Sequence, residues 1–259
     1  MKILHIWNTA GVASTLAKFM DRIYGSRSTV IYRRVFDKFG HTIYGELKDC
    51  GAKEFVLRAV LRSLKYDIIH IHSLDKLVPI IRILNPRKPI VLHYHGSEIR
   101  GKWMIRKKFW NIPNVVVLVS TKDLLNGAPE HVIYLPNPVD TDIFRPNPAI
   151  VRKTRSALAF RYYIDEVKVR KYAEKYGLEL TILEREYPYL EMPRLLSSYE
   201  FFIDKTEIPS LSKTALEALA CGTKVIRWDG EIIDHLPEEH KPENVVRKLY
   251  DIYRIMIEK

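Results

Sequence analysis

The residues best suited to chemistry fall in two short stretches. In Ser212-Lys213-Thr214-Ala215-Leu216-Glu217, capping residues open an apolar-periodic segment, so the stretch reads as the first turns of a helix. The backbone N–H groups and dipole at such a start attract anions, a diphosphate among them. Glu217 carries a carboxylate that can accept two hydroxyl hydrogen bonds at once, as from a diol. It also follows Lys213 by one helical turn, so a simple Lys213–Glu217 ion pair is the competing reading. In Tyr94-His95-Gly96-Ser97-Glu98, His95 closes an apolar run and Gly96 leaves the backbone open to a ligand. A structural role competes for His95 as well. His70, His72 and His93 alternate with apolar residues in neighbouring runs, and for them the structural reading is preferred.

Such residues need a frame that brings several segment ends together. Apolar, β-branched runs at 2–7, 29–34, 67–72, 89–95, 115–120 and 131–135 are mostly apolar on both faces, the pattern of buried parallel strands. Between them, 14–24, 74–84 and 103–110 have helical spacing. Pro136-Asn137-Pro138 and Arg145-Pro146-Asn147-Pro148 then punctuate the chain as a linker, because proline removes a donor and biases its predecessor to extended geometry. Beyond it, strands at 156–160, 178–183, 201–204 and 223–228 alternate with helices at 165–176, 192–199 and 212–220, and a last helix spans 242–258. The expected class is α/β, with two Rossmann-like domains, 1–142 and a reduced 143–241, followed by a C-terminal helix, 242–259. Open α/β sheets bind ligands beyond the carboxyl ends of their strands, so the site is expected in a cleft between the two halves.

Bulk properties narrow the partners. The 259 residues suffice for two small domains,. Cys50 and Cys221 stand far apart in no metal-spaced cluster, which gives no support to a disulfide framework or a zinc site and fits a reducing compartment. No run approaches the roughly 18 apolar residues of a membrane span, and the first residues read as a strand rather than a secretion signal. A soluble cytoplasmic protein is expected, at most peripheral on a membrane. Glutamine is absent while Lys, Arg and Glu abound, a bias that fits thermophilic proteins. The net charge of +11 favours anionic partners,.

Taken in order, the Gly11 loop, Asp67-Ile68-Ile69-His70-Ile71-His72, His95-Gly96-Ser97-Glu98-Ile99-Arg100-Gly101, Asn137-Pro138-Val139-Asp140 and Leu216-Glu217-Ala218-Leu219-Ala220-Cys221-Gly222 resemble glycosyltransferase family 4. The resemblance implies a GT-B fold and transfer of a sugar from a nucleoside-diphosphate donor to a glycan or lipid-linked acceptor, retaining and without a metal or cofactor. It implies that Glu217 grips the ribose diol and that His95 contacts the donor sugar near the reacting carbon. Gly11 lies in the loop that closes over the substrates, and Gly96 together with Ser212, Lys213 and Thr214 borders the donor. In the family an Arg and a Lys after the second domain's first strand meet the diphosphate charge, and Arg161 and Lys168 are the candidates here. One departure stands out: the family's first Glu, eight residues before Glu217, is replaced by Pro209, and Glu207 is two residues out of place. A non-catalytic sugar-nucleotide binder or partner subunit is therefore the alternative.

Three further features were weighed. Asp140-Thr141-Asp142 has the look of a metal-binding Asp-x-Asp but sits in the linker. Residues 100–110 mix cations with apolar side chains; Lys102, Trp103, Arg106, Lys107, Lys108 and Trp110 can face an anionic membrane or a lipid-linked acceptor, or the helix can simply pack on the sheet. Nucleic acid is not expected as a partner, since charge is the only feature in its favour.

Overall fold

Strand residues that are apolar on both sides can be satisfied only in a sheet covered on both faces, and the computed structural model, which describes residues 1–258, contains two such sheets. The chain divides into two compact units: residues 1–138 with the C-terminal helix that begins at Pro242, and Val139–Lys241. The division thus falls at Pro138, a little ahead of the expected boundary, and the last helix belongs to the first unit instead of standing apart.

In the first unit the elements are β1 (Lys2–Ile6), α1 (Val12–Tyr24), β2 (Arg27–Arg33), β3 (Glu46–Lys48), α2 (Ala52–Ser63), β4 (Ile68–His72), α3 (Leu77–Leu84), β5 (Ile90–Tyr94), α4 (Trp103–Trp110), β6 (Val115–Val119) and β7 (Ile133–Tyr134). The sheet runs β3-β2-β1-β4-β5-β6-β7 and is parallel throughout. Strand order reverses between β1 and β4, which makes their carboxyl ends the topological switch point of a Rossmann-type sheet. Leu4, Ile69, Ile71 and Leu92 face one core with Phe55, Val78 and Trp103 from α2, α3 and α4. Ile3, Ile68, Val91 and Leu118 face the other, with Leu16, Phe19 and Met20 of α1. The same core takes Val245, Val246, Leu249 and Tyr253 from the terminal helix, α8 below. Burying four such side chains, each worth about 1.5–3 kcal/mol, explains why the chain returns to its first unit. The helix Ala52–Ser63 and strand Glu46–Lys48 are additions to the sequence reading; β3 is three residues long and only half-buried, so it carries little periodic signal.

The second unit contains β8 (Lys153–Phe160), α5 (Glu166–Lys175), β9 (Glu179–Leu183), α6 (Met192–Ser197), β10 (Tyr199–Ile203), α7 (Lys213–Ala220), β11 (Lys224–Ile226) and β12 (Ile232–Ile233); α8 (Pro242–Glu258) follows. Its sheet order is β12-β11-β10-β8-β9, with β12 antiparallel to β11 and the rest parallel. Here the switch point lies between β8 and β10. Helix α5 starts where the Asp165 carboxylate accepts from Val167 N at 2.9 Å and Lys168 N at 3.2 Å, a side-chain N-cap. A small core of Ala157, Ala159, Val169, Ala173, Phe201, Ile203 and Ile226 holds the sheet to its helices.

Candidate functional site

Parallel strands all end at one edge, so each unit presents one rim of loop residues. In the first unit the rim begins after β1, where Trp7 (φ 79°), Ala10 (φ 49°) and Gly11 (φ 75°) adopt left-handed backbone before α1. Gly11 is the N-cap of α1, and a side chain there would press against the His41 carbonyl at 3.3 Å as well as being strained,. After β4, Ser73 (φ 61°) is a third non-glycine outlier; such residues persist only where their surroundings fix them. Thr9 Oγ1 lies 3.0 Å from Ser73 Oγ, which donates to Glu98 Oε1 at 2.9 Å, and the His95 backbone N–H donates to the same Glu98 oxygen. The segments after β1, β4 and β5 are thereby laced together at the switch point. A side chain at Gly96 would meet only the Glu98 carboxylate, at 3.7 Å, so the backbone there is open to approach.

Behind this rim stands a file of histidines. Two-residue periodicity puts His5, His70, His72, His93 and His95, the last just past the end of β5, on one face of β1, β4 and β5, with His5 opposite His70 and His72 opposite His93 in the register,. His72 bridges its neighbours, Nε2 to His5 Nδ1 at 3.1 Å and Nδ1 to His95 Nε2 at 3.0 Å. His70 Nδ1 meets the Tyr253 hydroxyl of α8 at 2.6 Å. Burial pushes the imidazoles down: His5 to about 3, His95 to about 4, and His70, His72 and His93 well below their ordinary 6.5. For His95, the Glu98 charge and a hydrogen bond with Asn137 only partly offset that burial. At neutral pH, His95 is a neutral donor and acceptor rather than a cation.

The second unit's rim is cationic. Arg161 follows β8 and is exposed, 3.4 Å from Glu166 and 3.3 Å from Glu184. Lys168 Nζ donates to the Trp228 carbonyl at 2.6 Å and the Thr206 carbonyl at 3.3 Å, beyond the ends of β11 and β10. Lys205 stands two residues beyond β10 and lies over the Tyr162 ring at 5.4 Å; the sequence reading missed it, although a lysine just past a strand end was the available signal. Helix α7 begins beside them: Ser212 N donates to Asp204 Oδ2 at 2.8 Å, and Ser212 Oγ accepts from Ala215 N at 3.0 Å. Burial raises the Asp204 carboxyl above its ordinary value against these hydrogen bonds. With Ser212 and Ala215 N–H occupied in this way, Lys213 and Thr214 supply the remaining first-turn N–H groups of α7.

Glu217 is buried and Lys213 Nζ lies 3.0 Å from its Oε1, with both side chains almost closed to solvent. The ion pair weighed from the sequence is thus formed. Tyr189 is buried in the same place; burial first, then the charges of Glu217 and Asp140, hold its hydroxyl well above the ordinary phenol value. Pro209 and Glu207, which stand where the family's first Glu was sought, are exposed.

Two expectations change. Trp103 and Trp110 do not face outward: they are 3% and 5% exposed, packed edge to face, with indole N–H groups donating to the Leu124 and Trp103 carbonyls at 2.9 Å each. Their large apolar rings and single donors are satisfied by the core. Arg106 is likewise held, gripping the buried Asp75 with two nitrogens at 2.6 and 2.7 Å. Lys102, whose ammonium meets the Ser97 carbonyl at 2.6 Å, and Lys107 and Lys108 do lie on the surface, next to Met104 and Ile105, which are 76% and 75% exposed. Asp140 closes a turn, its Oδ1 accepting from Asp142 N at 3.1 Å, as the linker reading required.

The profile of Glycosyltransferase Family 4 matches residues 16–143. Residues 16–143 thus resemble glycosyltransferase family 4, and the fold is GT-B. Among solved structures, sucrose-phosphate synthase from Thermosynechococcus elongatus aligns with a TM-score of 0.57 at 12% identity, covering 100% of this chain and 92% of that one. UDP-GlcNAc 2-epimerase from Neisseria meningitidis bound to UDP-GlcNAc aligns at 0.49 and 12% identity, covering 99% and 94%. No curated protein matches the chain by sequence. The fold is therefore one used by glycosyltransferases. Among the described residues, no helix is long and apolar enough to cross a membrane.

Proposed function

We propose that the protein is a glycosyltransferase that moves a sugar from a nucleoside-diphosphate donor to an acceptor hydroxyl with retention of configuration, using protein cations in place of a metal. The observation that carries this reading is the cationic rim of the second unit. The anomeric C–O bond to the diphosphate breaks, a bond from the acceptor oxygen forms, and the acceptor proton leaves with the departing diphosphate. Negative charge grows on that leaving group, and positioned cations and N–H dipoles stabilise it most strongly where water is scarce. Arg161, Lys168 and Lys205, with the Lys213 and Thr214 N–H groups, serve the diphosphate, and Ser212 holds the helix start in place. Glu217, whose carboxylate is held by Lys213 and Tyr189, takes the ribose diol. In the first unit, the segment of His95 and Gly96, with the Gly11 loop, meets the sugar and acceptor hydroxyls.

The surface of Lys102, Lys107, Lys108, Met104 and Ile105 suits a lipid-linked acceptor at an anionic membrane, since each surface cation adds about 1 kcal/mol near such a leaflet. Cytoplasmic placement, peripheral on that leaflet, goes with it. A second reading, a non-catalytic sugar-nucleotide binder, is favoured by one observation: Pro209 supplies no carboxylate for the transferred sugar.

The deciding experiment incubates the full chain with a panel of nucleotide sugars, with and without lipid-phosphate acceptors, and measures released nucleoside diphosphate and donor binding. Acceptor-dependent release that Arg161→Ala and Glu217→Gln suppress in folded protein supports transfer. Binding without release across the panel supports the second reading, and no binding of any donor sinks both.

A further inference from the structure

The histidine file is larger than sugar chemistry needs. His93 is fully buried, and neither ring nitrogen has a hydrogen-bond partner. An imidazole in that condition forfeits about 1–3 kcal/mol for each stranded polar group, so its retention calls for a ligand. Other imidazole nitrogens are close by: one from each of His72, His93 and His95 lie within 4.8 Å of one another. We propose that His72, His93 and His95 bind a divalent transition metal of the zinc class.

The geometry suits it. Zinc binds imidazole nitrogen at about 2.0–2.1 Å, so two ligands of a tetrahedral centre stand about 3.3 Å apart; His72 Nδ1 and His95 Nε2 are 3.0 Å apart and need only a slight separation. The proton that now joins those two nitrogens moves to His95 Nδ1, a buried nitrogen with no hydrogen-bond partner of its own, and no net proton is released. His72 keeps its Nε2–H on His5 Nδ1 at 3.1 Å, which fixes its tautomer and leaves Nδ1 as the ligand, the usual outer-sphere arrangement for a metal-bound histidine. Three imidazoles select zinc, cobalt, nickel or copper over magnesium or calcium, which prefer oxygen. His95, at the partly exposed end of the file, provides the access route and leaves a fourth position for water. Glu98, close enough to influence His95, offsets part of the added charge.

The test uses the untagged full chain stripped with a chelator and titrated with Co2+ and Zn2+, with Mg2+ as control. Expected are one equivalent of Co2+ with the visible bands of a tetrahedral site, displacement by Zn2+, and a Zn2+-dependent rise in Tm that Mg2+ does not produce. His93→Leu and His95→Gln should each weaken binding by more than about 100-fold, beyond the loss typical of outer-sphere changes, whereas exposed His235→Ala should leave it unchanged. Should His93→Leu fail to fold, His95→Gln decides. Folded wild type that takes up no Co2+ at millimolar metal, or binding that survives in the folded variants, overturns the proposal. None of these readouts depends on transferase activity.

Discussion

The two sheets have the same architecture at their carboxyl rims but opposite chemistry. In the first unit the switch point is laced by Thr9, Ser73, Glu98 and His95, and of the three non-glycine outliers on that rim, Trp7, Ala10 and Ser73, the last is held directly by the lacing. In the second it carries Arg161, Lys168 and Lys205 beside the start of α7. A parallel sheet dictates where a ligand can lie, and the few residues after each strand dictate what kind. Hydroxyl-rich groups suit the first rim, while an anion suits the second. The interiors differ as well: the first unit buries a row of neutral histidines, whereas the second buries a Lys–Glu pair.

The largest effect that separates the units is acid sensitivity. The folded first unit holds His5, His70, His72, His93 and His95 neutral, whereas the unfolded chain protonates them at about 6.5. Below that value the unfolded state binds more protons, so stability falls as pH falls, continuing until the folded imidazoles titrate, about 4 for His95 and about 3 for His5,. One unit below 6.5, each histidine costs about 1.4 kcal/mol, or about 7 for the row, comparable with the whole stability of an ordinary domain. Asp21 and Glu98, the carboxylates that influence the row, oppose this only in part. Metal-stripped protein moved from pH 7.5 to 5.5 should lose the tertiary signal of Trp7, Trp103 and Trp110 before that of the second unit's Trp228. Simultaneous loss, or none, removes the distinction.

Next in size is Glu217→Ala. Removing one member of a buried pair strands the other charge, typically at a cost of 3–5 kcal/mol, so Lys213 should destabilise the second unit without altering the first unit's acid transition. Replacing both residues with Met should restore most of the stability while leaving donor binding lost. Recovery of donor binding in the double variant would show that Glu217 serves only its ion pair.

Much of this contrast was legible in the sequence. Runs apolar on both faces identified the buried strands, and prolines near 138 and 146 marked the division. Local signals did not reveal that Val245, Leu249 and Tyr253 of α8 pack on Ile3 and Val91, because apolar periodicity tells that a face is buried and not against what. His5 lies remote in sequence from His93, and only the register of β1, β4 and β5 aligns them; each alone reads as structural. Trp103 and Trp110 misled because an aromatic beside lysines looks the same in sequence whether it faces lipid or core, and here Leu124 and Trp103 carbonyls take the indole donors.

Arg161→Ala should affect the second rim alone and more gently. Its exposed pairs with Glu166 and Glu184 contribute about 0–1 kcal/mol, so Tm should hardly move. Donor affinity should fall by roughly tenfold, about 1.4 kcal/mol, and more at low salt than at high, as expected for a screened charge. Unchanged affinity in calorimetry would remove Arg161 from the diphosphate and leave Lys168 and Lys205 as its cations.

The smallest effect on folding belongs to a surface outside both rims. Met104 and Ile105 are largely exposed, so Met104→Ser with Ile105→Ser should change stability by no more than about 0.5 kcal/mol, as for other exposed positions. At an anionic vesicle the same two side chains would enter the headgroup layer beside Lys102, Lys107 and Lys108. The three cations contribute about 3 kcal/mol there, so charge brings the surface to the membrane and the apolar pair retains it. Sedimentation with phosphatidylserine vesicles should therefore fall steeply with salt for wild type, and at fixed salt the double variant should bind more weakly. Equal sedimentation of the two proteins would reduce the role of this surface to its lysines; no sedimentation of wild type at low salt would remove the membrane and leave a water-soluble acceptor for His95 and its neighbours.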